Sequence, residues 1–169
     1  MPDEYLSKSP DAGRMGKAVE HLVAASCIIS SGARLNVSTA MVDDEGVDLV
    51  FHRRGGSATL AVQVKSRLST SKRVQSGGFV AFVRRQTFRP RPDLYMLFVA
   101  VDVPTGTYDT VWLVPSEALA STGQSGGKLR FAASMKIGTK NKWVPFQLTR
   151  AELPERILVL LDELEVSGD

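Results

Sequence analysis

The stretch from Gly46 to Ser66, GVDLVFHRRGGSATLAVQVKS, sets two runs of alternating apolar and polar residues on either side of Gly55-Gly56. Two glycines between alternating runs specify a β-hairpin, because a tight two-residue turn that matches strand twist needs φ > 0 at both central positions. The expected strands cover residues 47–54 and 57–65. With Arg54 opposite Ser57, the register places Asp48 opposite Gln63, Val50 opposite Ala61 and His52 opposite Thr59. Side chains alternate between faces, so Val47, Leu49, Phe51, Leu60, Val62 and Val64 form a core face, while Asp48, Gln63 and Lys65 share the other. Directly opposed residues have Cβ atoms roughly 5 Å apart, so a carboxylate and an amide there could hold one cation. The wet side of an ordinary antiparallel sheet carries the same residue types. The hairpin alone does not decide between the two.

The remaining composition narrows the chemistry. One cysteine, Cys27, excludes an internal disulfide and a cysteine-rich zinc site, and two histidines, His21 and His52, leave little for imidazole ligation. A metal would therefore be held by oxygens, which favours magnesium, manganese or calcium. No apolar run reaches the length of a membrane span, and the N-terminus has neither the basic start nor the apolar core of a signal peptide. The expectation is a soluble, cytoplasmic protein without membrane contact. The net charge of +3 hides a strong segregation. Between Arg53 and Arg91 there are ten Lys or Arg and no Asp or Glu, and Ala118 to Ala151 is a second acid-free stretch carrying Lys128, Arg130, Lys136, Lys140, Lys142 and Arg150. Solvated faces usually mix both signs, so single-sign runs of this length point to an anionic partner such as nucleic acid. The candidate contacts are Arg14, Lys17, Arg67, Lys72, Arg73, Arg84, Arg85, Arg89 and Arg91.

Along the chain, residues 1–12 read as a flexible arm and residues 13–169 as one domain. Met15, Val19, Leu22, Val23, Ser26 and Ile29 make a stripe at helical spacing that stops at Gly32, a natural C-terminal cap. Glu20 lies beside this stripe with Gly16 and Ala24 one turn away, and Lys17 could pair with it for only about 0.2 to 0.5 kcal/mol. A first strand is expected over 33–41, then an acidic turn at 42–45. After the hairpin, 67–78 reads as a loop and 79–88 as either a strand or a short helix. Phe79, Phe82 and Phe88 would anchor that segment with its arginines outward. The apolar run 94–103 suits a strand buried on both faces, and 107–115 another, followed by a short helix that Ser116 would cap. Short strand-like pieces fill 128–146, and 149–165 reads as an amphipathic helix with Leu153, Ile157, Leu160, Leu161 and Leu164 inward.

A helix carrying Glu20, a strand, a strand headed by Asp48, a hairpin and then Gln63-Val64-Lys65 resemble the PD-(D/E)XK nuclease superfamily. The opening GRMGKAVEHLVAASCIISSGARL is similar to the Gly-x-x-x-Glu helix of its Holliday junction resolvase and restriction-endonuclease-like branches. The resemblance implies an α/β fold with a restriction-endonuclease-like αβββαβ core, a central mixed sheet flanked by helices. It also implies a magnesium-dependent endonuclease acting on DNA, with manganese as a substitute ion, and a homodimer. Glu20, Asp48, Gln63 and Lys65 would be the catalytic set, with Asp48, Gln63, the Val64 carbonyl and Glu20 as metal ligands. Gln63 stands where the pattern usually has an acid, as in the Mrr-like branch. That departure leaves open a catalytically weak or inactive module of the same fold that binds nucleic acid or another partner.

Overall fold

The computed structural model describes residues 10–41, 46–122 and 124–168, with the backbone alone at 124 and 125. The expected acidic turn at 42–45 and the first nine residues of the expected arm lie outside the described residues. A mixed six-stranded sheet organises the chain, in the order β1 (Leu35–Thr39), β2 (Leu49–Arg53), β3 (Thr59–Leu68), β5 (Leu94–Asp102), β6 (Thr107–Pro115) and β9 (Gln147–Thr149). Only β3 and β5 run parallel; the other neighbours are antiparallel. A parallel pair needs a long crossover, and here it consists of the four-residue helix α2 (Lys72–Gln75) and β4 (Gly78–Arg84). The order helix, three strands, helix, strand is therefore present, with a one-turn second helix and β4 interposed. β4 leaves the main sheet and forms a second one with β8 (Lys128–Ser134) and β7 (Gln124–Ser125).

One face of the main sheet is covered by α1 (Pro10–Ser30) and α4 (Glu152–Ser167), through Val19, Val23, Cys27, Leu153, Ile157 and Leu161 packed on Leu49, Phe51, Leu60 and Val62. The other face is covered by the small sheet and by α3 (Ser116–Ala120), around Phe79, Phe98, Trp112, Phe131 and Trp143. Phe98 and Phe131 stack at 3.8 Å between ring centroids, with Phe79 edge-on to both. Alternation along β5 serves both layers: Leu97, Val99 and Val101 turn to the helices, while Met96, Phe98 and Ala100 turn to the aromatics. This is the strand expected to be buried on both faces.

Several expectations are corrected. Helix α1 begins at Pro10, inside the segment expected to be an arm. Its buried side is Val19, Val23 and Cys27, whereas Ile29 is 77% exposed. Burial pushes the Cys27 thiol up to about 12, as it does the Tyr108 hydroxyl that bonds Ser26. Gly32 closes α1 as expected, with Ala33 N–H reaching the Ile28 carbonyl at 2.9 Å. The expected loop at 67–78 contains the end of β3 and α2. Of the three expected anchors in the next segment, Phe79 and Phe88 are buried, but Phe82 points outward. Ser116 caps no helix; it is fully buried and clips the preceding loop, donating to the Arg91 carbonyl and accepting the Arg91 N–H.

The hairpin turn also differs from the expected tight form. Gly56 N–H bonds to the Arg53 carbonyl at 3.0 Å, so the turn is centred on Arg54-Gly55, and only Gly55 of the pair has positive φ. Regular pairing across the hairpin then starts at His52 with Thr59, leaving Ser57 and Ala58 without partners in the ladder. Their amides turn to α4 instead. Ser57 N–H, Ala58 N–H and the Ser57 hydroxyl all donate to the Glu165 carboxylate, at 3.1, 2.7 and 2.6 Å.

These donors lower the Glu165 pKa below the ordinary glutamate value, led by the Ser57 hydroxyl and then the two backbone amides. A carboxylate whose pKa is depressed by folding stabilises the native state above its unfolded pKa, about 4.3, and that contribution is lost as pH falls through the lower folded value. Replacing Glu165 by Ala should therefore destabilise the protein at pH 6, and the gap from the parent should narrow progressively below pH 4. Urea denaturation of both proteins across that range measures it, and a pH-independent gap would remove the carboxylate from the account.

Candidate functional site

The central feature lies where β2 runs out. Its first residue, Leu49, pairs with Val62, yet Asp48 N–H also reaches the Val62 carbonyl at 2.9 Å. Two consecutive residues of one strand addressing one residue of the other is a β-bulge. A one-residue step exchanges faces, and Val47 accordingly packs in the aromatic cluster with Ala61, not in the helix-side core where the alternating pattern puts it. The regular pairing of Asp48 with Gln63 is not part of the ladder. What forms is a side-chain contact, Asp48 Oδ2 accepting the Val64 N–H at 2.7 Å.

The backbone of β3 explains that contact. Ala61 N–H bonds to the Asp93 carbonyl and Ser69 N–H to the Val101 carbonyl, both at 2.8 Å, so odd-numbered residues turn their polar groups toward the β5 side. Even-numbered residues turn theirs toward β2. Past Val62 there is no β2 ladder left. The Val64 amide takes the Asp48 carboxylate in its place, and strand geometry turns the Val64 carbonyl toward the same edge. Gln63 reaches this region from its own face. Gly46, with φ of +72°, stands against it, and a Cβ there would lie 3.1 Å from Gln63 Nε2. Both the backbone conformation and the close approach call for glycine, a demand that the residue pattern does not flag beyond its place at the head of the hairpin.

Lys65 shares the face of Gln63, and their partners on β5 are Phe98 and Met96. Glu20 arrives from the opposite side of the sheet. It neighbours Val19, which packs in the same core as Val62 and Val64, and its side chain is 13% exposed with Oε2 2.9 Å from Lys17 Nζ. Glu20 thus lies on the helix side of the sheet, and Gln63 and Lys65 lie on the face that Ala61 turns to the aromatic cluster. Among the described residues no three His, Cys, Asp or Glu cluster to hold a metal. The donor set on offer is two carboxylates, one amide and one main-chain carbonyl, all oxygen and suited to a hard divalent ion.

The basic candidates separate into groups. Arg67 is drawn inward: its Nε donates to the Val80 carbonyl and its Nη1 to the Ser66 carbonyl, both at 2.8 Å, and burial lowers its pKa. It therefore braces β4 against β3. Arg14 pairs with Asp11, Lys17 with Glu20 and Arg91 with Asp93. Arg89 turns back to the Gln86 and Phe88 carbonyls. Lys72 and Arg73 lie on α2, and Arg84 and Arg85 are exposed at the end of β4. The C-terminal acids pair elsewhere, Glu155 with Arg34 and Asp162 with Arg53. On β8, Arg130 and Lys128 face Phe82 and Arg84 across the small sheet; the strand pairing, which a one-dimensional reading of charge lacks, brings the two acid-free stretches together.

A central mixed sheet of six strands flanked by helices makes this an α/β fold. Among solved structures, the chain is similar to a bacterial homing endonuclease, I-Ssp6803I, with a TM-score of 0.57 over 96% of this chain and 98% of that one. The two are 19% identical, so the likeness concerns the fold. No protein-family model and no curated protein matches the sequence. No helix among the described residues is long and apolar enough to cross a membrane.

The Asp48 contact gives a measurable expectation. Asp48→Ala leaves the Val64 N–H without its acceptor and should destabilise the fold by about 1 to 3 kcal/mol. Asp48→Asn keeps an oxygen in reach and should lose less. Urea titrations of the two variants beside the parent provide the comparison, and equal losses would show that the Val64 bond is not the reason.

Proposed function

We propose that the chain is a metal-dependent endonuclease of the PD-(D/E)XK kind, hydrolysing phosphodiester bonds in DNA with magnesium, or manganese in its place. The observation that carries this reading is the end of β2, where the Asp48 carboxylate accepts the Val64 N–H on the β3 edge that strand geometry gives the Val64 carbonyl as well, one residue before Lys65. The similarity to a homing endonuclease supports it at the level of fold. A divalent ion held by these oxygens would neutralise charge at the phosphate and acidify water toward neutral pH.

The residues divide the work. Asp48 is the principal anionic ligand, and the Val64 N–H on Oδ2 fixes the direction of its other oxygen. Gln63 and the Val64 carbonyl contribute neutral oxygens, and Glu20 contributes the second carboxylate, directly or through water. Lys65 orients the attacking water and meets negative charge that grows on the phosphate in the transition state. The amide at 63 removes one charge from a three-carboxylate set, so metal affinity is reduced. That neutral position also favours a second reading, a module that binds DNA without cutting it. Salt-dependent binding with no cleavage throughout magnesium and manganese titrations would decide for the second.

Lys65→Ala should lower single-turnover cleavage by roughly 10² to 10³, as for loss of one preorganised donor, and leave DNA affinity close to the parent's. Asp48→Asn should also weaken metal binding, so excess manganese should partly restore it but not Lys65→Ala. Full activity in Lys65→Ala would defeat the mechanism. Cutting both strands of a duplex takes two sites, so the proposal includes a homodimer. Sedimentation that shows only an 18.4 kDa species at micromolar concentration would remove that part.

A further inference from the structure

The outward face of the small sheet combines charge and shape in a way the proposed chemistry does not use. Inward-pointing Phe79, Ala81, Val83, Leu129 and Phe131 fill the aromatic core. Their alternates therefore point out: Val80, Phe82 and Arg84 on β4, with Ala132, Arg130 and Lys128 directly opposite on β8. Phe82 is 40% exposed although it is a large aromatic. At the α2 end, the side chains of Arg73 and Lys136 lie across two glycines. A Cβ on Gly78 would come within 3.1 Å of Arg73 Nε, and one on Gly77 within 2.7 Å of Lys136 Cε. Neither β4 nor β8 contains an acid, and among the described residues Arg84, Arg85 and Arg130 are in no ion pair.

We infer that this face is a DNA-reading ribbon that enters the major groove of a duplex, with Phe82 and Arg130 at base edges and Arg73, Lys136 and Arg84 on the flanking phosphates. The inference rests on DNA being the partner and is independent of cleavage. Two strands about 4.8 Å apart, plus their side chains, match a groove about 12 Å wide and exceed one about 6 Å wide. Six residue steps from Gly78 to Arg84, at roughly 3.4 Å each, give about 20 Å, or about six base pairs. The small Val80–Ala132 pair lets the ribbon approach closely between its charged ends. Arg130 has the planar donor fork that reads guanine bidentately, and Phe82 beside it offers an apolar contact for a thymine methyl group.

The test separates reading from holding, and both from cutting. The full chain, in calcium or EDTA, is used to select duplexes from a randomised library, and affinities for a selected and a random duplex are measured across salt. Arg130→Ala should lose roughly 5- to 150-fold on the selected duplex and little on the random one, with an almost unchanged salt slope. Phe82→Ala should relax the preference in the same direction. Arg84→Ala should weaken both duplexes alike and reduce the log-log salt slope by roughly 0.9. Parental discrimination in both Arg130→Ala and Phe82→Ala would overturn the inference. So would a library that yields no preferred duplex, or tighter binding of single strands than of duplex, which would assign Phe82 to base stacking. A parent that binds selectively but does not cleave in magnesium or manganese would end the endonuclease reading and leave the ribbon standing.

Discussion

Strand β3 must hydrogen-bond on two sides, and its two neighbours differ in length. β5 accompanies it along eight positions, from Ala61 to Leu68, whereas the β2 ladder covers only Thr59 to Val62. Buried main-chain groups have to be satisfied, so the stretch of β3 that outlasts β2 needs other partners. The Asp48 carboxylate supplies one for Val64. The same mismatch turns the Val64 edge of β3 to the Asp48 carboxylate, and Lys65 comes next along the strand. The proposed chemistry therefore occupies a place where regular pairing stops for structural reasons.

Much of this was legible in the sequence because hairpins are local. The pairs Val50–Ala61 and His52–Thr59 follow from counting across Gly55-Gly56, and they hold although the turn itself is centred one residue earlier. The count fails at Asp48, where Asp48 and Leu49 both address Val62 and a bulge interrupts the ladder that alternation assumes. The outward set Asp48, Gln63 and Lys65 thus mixes two environments. Helix α1 shows the same limit. Periodicity alone admits Ile29 to the buried stripe, whereas the sheet below selects Cys27. Ser116 and Arg67 carry residue types that suit a cap and a phosphate, but their partners are loop and strand carbonyls that no local pattern announces.

The crossover between β3 and β5 has a consequence for the whole architecture. A long helix there would cover the sheet by itself; four residues of α2 cannot. The vacant face is closed by β4 together with β8, which arrives from the C-terminal third of the chain. The stacked Phe98 and Phe131, contributed by different sheets, tie the two layers. Segregation of the acids gains a meaning from this arrangement: they cluster with α4 on the far side of the main sheet, where Glu155, Asp162 and Glu165 serve Arg34, Arg53 and the hairpin tip.

The clasp between Glu165 and Ser57 joins residues 108 positions apart. During synthesis the hairpin leaves the ribosome well before α4 exists, so its tip spends that interval with its amides in water and its helix-facing apolar side covered by α1 alone. Closure over so long a separation is a late, entropically demanding step, typical of chains that fold slowly. Helix α4 thus fixes a hairpin made long before it, and nascent chains paused before α4 would leave Leu49, Phe51 and Leu60 with only part of their helical cover.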